Sequence, residues 1–394
     1  MIIGGANTGN RLGLYVHWPF CKSKCPYCDF NSHVSENIDQ DGFAEGLRRE
    51  LTSLATRLSD RPKLHSIFFG GGTPSLMPPA TLASVIDHAD QIFGFEDDIE
   101  ITAEANPTSV ETDNLAAFHL AGVNRVSLGI QALEPAHLAF LGREHSAADA
   151  LSAIETAQQH FSRVSIDLIY GLPDQSVSQW QNVLARLLSL GLDHLSLYQL
   201  TIEQGTAFYS RANRGDVMTG PDDTVARQFE VTNDIMAGAG LPAYEVSNHA
   251  RPGHECRHNL IYWRAQNWIG IGPGAHSRFN HSGNRVALAT RRNPASWLAL
   301  TAEQGHAIET EQIETASDHA AEMLMMGLRL TEGVCLRHVE NHCGARGDWL
   351  DEAALTAHLD NKLLELVPYS DGERLKTTPK GRLFLNRILA DILA

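Results

Sequence analysis

Three cysteines fall within eight residues, in the run Cys21-Lys-Ser-Lys-Cys25-Pro-Tyr-Cys28. The C-x3-C-x2-C spacing offers three thiolates to one compact inorganic site. A cubane [4Fe–4S] cluster has four irons, so three thiolates leave one iron open to a ligand that is not protein. A structural zinc site would ask for four ligands in two separated pairs, and here only His17 or His33 could complete a Cys3His set. A disulfide framework fits less well. Six cysteines in 394 residues are sparse, and Cys256, Cys335 and Cys343 lie far along the chain. That usage suits a reducing compartment, where clustered thiols signal metal or catalysis.

A second group of residues falls at the ends of predicted strands. Gly70-Gly-Gly-Thr-Pro74 follows an apolar run, and glycines there let backbone approach a ligand with no Cβ in the way. No Gly-Lys-Ser/Thr follows, so this is not a Walker loop, and it does not match G-x-G-x-x-G. Glu104, Gln131, Arg143 and Asp167 each sit at or just past, or within, a later strand. Charged groups inside a barrel are costly unless paired or facing a ligand. Glu104 and Asp167 suit ribose hydroxyls or an ammonium group, and Arg143 suits a carboxylate. An ion pair of Arg143 with Asp167 or Glu144 is the structural alternative.

The elements that must position these residues alternate regularly. Strands are predicted at Leu12–His17, His65–Phe69, Ile99–Glu104, Val123–Gln131, Val164–Tyr170 and His194–Leu200, with helices between them, including Asp41–Leu58 and Pro79–Phe93. Such βα alternation implies a parallel sheet with helices outside. Six units are too few for a closed eight-stranded barrel and suit an open (β/α)6 partial barrel, an α/β fold whose chemistry belongs at the C-terminal rim of the strands. The pattern changes beyond residue 205. A helix at Asp222–Gly240 and a short extended piece at Ala243–Val246 precede a polar-aromatic stretch, His254–His276. From Thr315 onward, helices at Ala316–Leu330, Leu336–Asn341, Trp349–Leu364 and Pro379–Leu393 and a hairpin around Ser370–Glu373 describe a small winged-helix-like unit. Three regions are expected: 1–205, 206–314 and 315–394.

Composition bounds the function. The hydrophobic share of 43% and charged share of 20% are ordinary for a globular protein. The formal charge of −16 argues against a nucleic-acid surface, and the C-terminal unit shows no basic recognition cluster. No basic stretch followed by an apolar run opens the chain, and no run reaches transmembrane length, so a cytoplasmic protein is expected.

The cysteine spacing resembles the radical SAM superfamily. That resemblance implies S-adenosylmethionine (SAM) on the open iron, with the radical chemistry supplied by the cofactor. The run Tyr15-Val-His-Trp-Pro-Phe-Cys21, with Tyr27, Gly70–Pro74, Glu104-Ala-Asn-Pro107, Gln131, Arg143 and Asp167, resembles the oxygen-independent coproporphyrinogen III oxidase family. It implies SAM contacts at Tyr15, Tyr27, Gly71, Gly72, Thr73, Glu104, Gln131, Arg143, Asp167 and Thr201, and a HemN-type C-terminal domain. Two features depart from the oxidases. Phe30 stands where they carry a further cysteine, and only twenty residues precede Cys21. The stretch His258-Asn259-Leu-Ile-Tyr262-Trp263 is an H-N-x-x-Y-W signature and resembles HemW-type heme chaperones. A histidine can ligate heme iron, and flat aromatic rings can face a porphyrin. Heme contacts are therefore expected at His258, Asn259, Tyr262 and Trp263, with Cys256 and His254 as further ligand candidates. The resemblance implies a heme chaperone carrying a [4Fe–4S] cluster and SAM. Its partners would be heme, an acceptor hemoprotein (respiratory and membrane-associated acceptors included), and an electron donor such as flavodoxin or a reduced pyridine nucleotide system. Membrane association would be peripheral and through a partner. The alternative is the oxidase itself.

Overall fold

The computed structural model describes residues 11–108, 111, 112 and 114–393. The opening residues, on which the reading of signal segments rests, lie outside that set. Strands β1 (Leu12–Trp18), β2 (Phe20–Cys21), β3 (His33–Val34), β4 (Leu64–Gly71), β5 (Phe95–Ala105), β6 (Arg125–Gln131), β7 (Arg163–Tyr170) and β8 (His194–Gln199) occupy the first half. β1, β4, β5, β6, β7 and β8 are parallel neighbours in that order. Helices cover the sheet, among them Gln40–Ala55, Pro79–Phe93, Ala147–His160 and Val177–Leu188. This is the open (β/α)6 partial barrel that the alternation implies.

Local sequence explains these elements. β1 reads LGLYVHW and is buried at every position but Tyr15, the near-continuous apolar run of a strand covered on both faces. Helices Ala147–His160 and Val177–Leu188 open with capping boxes, Ser146 with Asp149 and Ser176 with Gln179, which satisfy amide groups the first turn leaves free. One continuous core spans the sheet and its helices, with Trp18, Phe69, Phe118, Trp180 and Trp297 fully enclosed.

The sheet is wider than six strands. β9 (Asn248–Ala250) adds to β8 antiparallel, whereas an extended piece is expected a few residues earlier, at Ala243–Val246. Ala243 forms an isolated bridge to His249 in that turn. On the opposite edge β10 (Asn267–Ile271) pairs in parallel with β1, followed by the antiparallel run β11 (His276–His281), β12 (Asn284–Thr290) and β13 (Ile308–Ile313). The result is an eleven-stranded sheet. The polar-aromatic stretch thus divides into a helix, Arg257–Trp263, and β10. Its mixed composition hid a buried strand whose pattern is NWIGI.

The C-terminal residues form a second core around Leu324, Leu336, Trp349, Leu375 and Ile388. β14 (Val334–Cys335), β15 (Leu364–Tyr369) and β16 (Gly372–Thr377) make a three-stranded sheet in the order β14-β16-β15, with the expected hairpin. Two expected helices are shorter. The one predicted over Trp349–Leu364 runs Glu352–Asp360, because Asp351 caps it and Leu364 already belongs to β15. The last helix breaks into Pro379–Arg382 and Leu385–Ile392.

Candidate functional site

The cysteine loop leaves β1 at the C-terminal rim and is clamped there by backbone. Gly72 N–H donates to Trp18 O at 2.7 Å and Thr73 N–H to Phe20 O at 2.8 Å. A Cβ on Gly72 would come within 2.6 Å of Phe20 O, and Gly71 has φ +113° with the His17 ring in the way of a side chain. The glycines therefore let the β4 loop lie flat against the segment that carries Cys21. The other end of the cysteine loop is held by Phe208, whose N–H donates to Pro26 O at 3.0 Å and whose ring packs against Tyr27.

These contacts shape a cavity of about 450 Å³ at the rim. Cys21, Cys25 and Cys28 are free thiols, half-buried, on one wall. Tyr27, Gly71, Gly72, Thr73, Glu104, Gln131, Arg143, Asp167 and Thr201 line the same space. Nine of the ten residues expected to contact SAM are thus brought together from separate strands. Gln131 ends β6 with φ +67°, a left-handed conformation that costs a non-glycine residue and is found at sites where surroundings impose it.

The electrostatics of the cavity are unbalanced. Glu104 and Asp167 are partly buried, and desolvation together with the neighbouring Asp167 charge pushes Glu104 up to about 8. Asp167 is also raised by burial, although Ser127 Oγ donates to it at 3.0 Å. Glu104 accepts from Gly71 N–H at 3.3 Å. The Arg125 guanidinium nearby lowers both carboxyl groups only in part, and neither forms an ion pair among the described residues, so the two desolvated carboxyls suit a ligand bearing an ammonium or hydroxyl groups. Arg143 forms neither of the expected ion pairs. It donates to Asn106 Oδ1 at 2.5 Å, to Gly129 O at 2.8 Å and to Cys25 Sγ at 3.4 Å, while its Nε finds no partner among the described residues. Glu144 instead meets Lys22 at 3.7 Å on the surface.

Burial raises the Cys21 and Cys28 thiols, so a cation must be supplied for them to serve as thiolate ligands. The zinc alternative loses its fourth ligand. His17 donates from Nε2 to Asn31 O at 2.9 Å and accepts at Nδ1 from Tyr15 at 3.1 Å, and His33 is bonded to Asn31 Oδ1. Among the described residues no three His, Cys, Asp or Glu side chains converge on a single ion. Three separate thiols facing one cavity, with polar groups opposite, fit a larger cluster and its organic ligand.

Tyr15 stands apart. It lines a second cavity, of about 270 Å³, deeper in the barrel, together with His258, Asn259 and Tyr262. Glu104, Ser127, Asp167 and Tyr198 line both cavities. His258 is 1% exposed, and burial holds its imidazole neutral, down at about 3. Its Nδ1 meets Ser66 Oγ at 2.9 Å and its Nε2 meets Tyr262 Oη at 2.7 Å, and Phe68 stacks on the ring. Both nitrogens that could reach iron are engaged. The space beside them is below the roughly 300–1,000 Å³ of pockets for drug-sized ligands. His258, Asn259 and Tyr262 are thus brought together in that inner cavity, with both imidazole nitrogens of His258 hydrogen-bonded within the protein. The i, i+4 spacing of His258 and Tyr262 turns both inward, whereas Trp263 lies on the other side and lines a different cleft. Cys256 is fully buried against Glu100 at 3.5 Å, and His254 lies 3.7 Å from Asp193 near the surface.

Sequence reading missed several contributors. Asn106 binds Arg143 and receives its own backbone support from Glu111, and Ser127 holds Asp167. For Asn106, its place just past the end of β5 was the available signal, while Ser127 lies inside β6. Below them, Arg125 and Glu100 are fully buried, and Glu100 pairs with Arg163 at 2.7 Å.

Residues 15–187 match the radical SAM superfamily and residues 315–384 the HemN C-terminal domain. A mouse protein named radical S-adenosyl methionine domain-containing protein 1, mitochondrial, is 41% identical over 98% of this chain and 88% of its own length. The heme chaperone HemW of Escherichia coli is 35% identical over 97% of this chain and 98% of its own. Among solved structures, coproporphyrinogen III oxidase (HemN) of Escherichia coli superposes with a TM-score of 0.79 at 22% identity, over 97% of this chain and 89% of that one. With its cysteine loop and polar cavity on the matching fold, the chain belongs to the radical SAM superfamily and, within it, to the HemW-type family.

Proposed function

We propose that this protein is a heme chaperone that holds a [4Fe–4S] cluster and SAM at the barrel rim, binds heme, and passes it to acceptor hemoproteins. The observation that carries the reading is the rim cavity within a chain that aligns end to end with a protein named heme chaperone. Cys21, Cys25 and Cys28 would anchor the cluster. Glu104 and Asp167 would receive the ammonium and hydroxyl groups of SAM, the glycines of the β4 loop would admit its backbone-like end, and Arg143 would brace the loop against β6. When bound, the pair of cofactors supplies one-electron chemistry at the open iron. Tyr27 and Phe30 close the rim on the side of the loop, Phe30 being 57% exposed.

Phe30 also separates this reading from the oxidase, since a cysteine at that place is absent here. Heme would be cargo, at about one per chain. The acceptor would be a respiratory hemoprotein met at the membrane, and a flavodoxin or reduced pyridine nucleotide system would supply electrons. No helix among the described residues is long and apolar enough to cross a membrane. Anaerobic incubation of the reconstituted protein with coproporphyrinogen III, SAM and reductant tests the reading. No protoporphyrinogen should form, while added heme should pass to an apo-hemoprotein. Sustained turnover of the porphyrinogen would overturn it.

A further inference from the structure

The cysteine loop does not end at its third thiol. Asn31, Ser32 and His33 follow it, and the backbone there is fixed from both sides. His33 N–H donates to Pro19 O at 2.7 Å, and β3 pairs with β2 at Phe20 and His33. Ser32 N–H donates to Phe30 O at 2.7 Å. The Asn31 side-chain amide donates to Pro273 O at 2.8 Å and to Arg292 O at 2.9 Å. A Cβ on Gly274 would come within 2.6 Å of that amide, so only glycine leaves room for it. The segment is thus tied to the turns that follow β10 and β12, and it is held against the cysteines.

Asn31 is spent on this clamp, and Ser32 is not. Ser32 is 7% exposed and lines the rim cavity with the three cysteines. Its buried hydroxyl has no oxygen or nitrogen partner among the described residues. A native interior rarely leaves such a donor without an acceptor. The groups within its reach are the thiols of Cys21 and Cys28. A neutral thiol accepts a hydrogen bond weakly, whereas an ionised sulfur accepts strongly. The hydroxyl is therefore placed for the charge that both sulfurs carry once they bind iron. Cys25 has a donor of its own, Arg143 Nη1 at 3.4 Å.

A hydrogen bond to a ligating sulfur draws negative charge from it. The reduced cluster carries one more electron than the oxidised cluster, so the bond favours the reduced form and raises the reduction potential. We propose that Ser32 is a positioning residue of the iron–sulfur site, its hydroxyl shared between the sulfurs of Cys21 and Cys28 and raising the potential at which the cluster takes up an electron. The proposal rests on the cluster reading and gives a task to a residue outside the set that faces SAM. Removing the hydroxyl makes the electron harder to deliver without removing an anchor.

An EPR-monitored redox titration of the full-length, anaerobically reconstituted protein tests this. Ser32→Ala should keep about four irons per chain and shift the one-electron equilibrium against reduction by threefold or more, about 28 mV. Ser32→Thr keeps a hydroxyl and should titrate as wild type, while Ser32→Val has the same shape without it and should follow Ser32→Ala. A shift under threefold in both hydroxyl-free variants would overturn the proposal and leave the cluster reading standing. Loss of iron from both of them would also overturn it, because the hydroxyl would then assemble the site rather than tune it. A wild-type chain that takes up no cluster would overturn both readings.

Discussion

The two cavities of the barrel use the same side chains to opposite ends. At the rim, carboxyl groups, an arginine and thiols face a space of about 450 Å³ with hydrogen-bonding capacity left over. At the floor, His258, Tyr262, Ser66 and Glu100 bond one another around about 270 Å³. A buried histidine with both nitrogens hydrogen-bonded braces the structure around it, and a desolvated carboxyl pair that forms no ion pair among the described residues suits a ligand. Residue type alone does not tell the two apart. The state of each polar atom does.

The largest effect that could break this contrast is at the cysteine loop. Cys21→Ala, Cys25→Ala or Cys28→Ala should each abolish a cluster of about four irons per chain, since each removes one of three anchors. Cys256→Ala, Cys335→Ala and Cys343→Ala should retain it, as measured by iron and sulfide content after anaerobic reconstitution. Loss of iron in Cys256→Ala would mean that the floor, too, holds metal.

At the floor, His258→Ala should destabilise the fold by roughly 2–4 kcal/mol, since it opens a cavity and strands Ser66 and Tyr262. Chemical denaturation measures this. Heme affinity of the remaining folded protein should be unchanged. A normal denaturation midpoint with heme affinity lost would make His258 a ligand and erase the distinction.

A smaller, sharper effect concerns Glu104. Glu104→Gln should weaken SAM binding by roughly 1–3 kcal/mol, the range for a charge-assisted buried hydrogen bond. The pH dependence follows from its raised value, about 8, against 4.5 for the ordinary group. Between those values the folded chain holds a proton that the unfolded chain has released, so this group's contribution to stability falls as pH rises through that window. SAM, a cation, selects the ionised carboxylate, so its affinity should climb severalfold from pH 6 to 8. Calorimetry on Glu104→Gln should show both slopes flattened. Slopes unchanged in the variant would move the titrating group to Asp167 or elsewhere.

Much of the rim could be read before folding. Thiolate spacing is a local property, and three cysteines in eight residues must share one site whatever lies around them. Strand-end positions of Gly71, Glu104 and Gln131 followed from βα alternation, because a parallel strand delivers its last residues to the C-terminal rim, whereas Asp167 lies within β7. The hairpin Leu364–Thr377 was legible for the same reason, since the turn Ser370–Glu373 is local chemistry.

What lay beyond reach depended on contacts distant along the chain. β10 joins β1 across some 250 residues of chain, a pairing that no local pattern encodes. The seven-residue helix Arg257–Trp263 could be recognised as a motif, but its facing could not. Glycine at position 13 leaves space that His258 and Ile261 fill, which seats the helix with His258 inward and Trp263 outward. Arg143 could have met Asp167 or Glu144. Packing against Asn106, Gly129 and Cys25 chose otherwise. Burial decides whether a polar side chain is bonded or waiting, and burial comes only with the assembled fold.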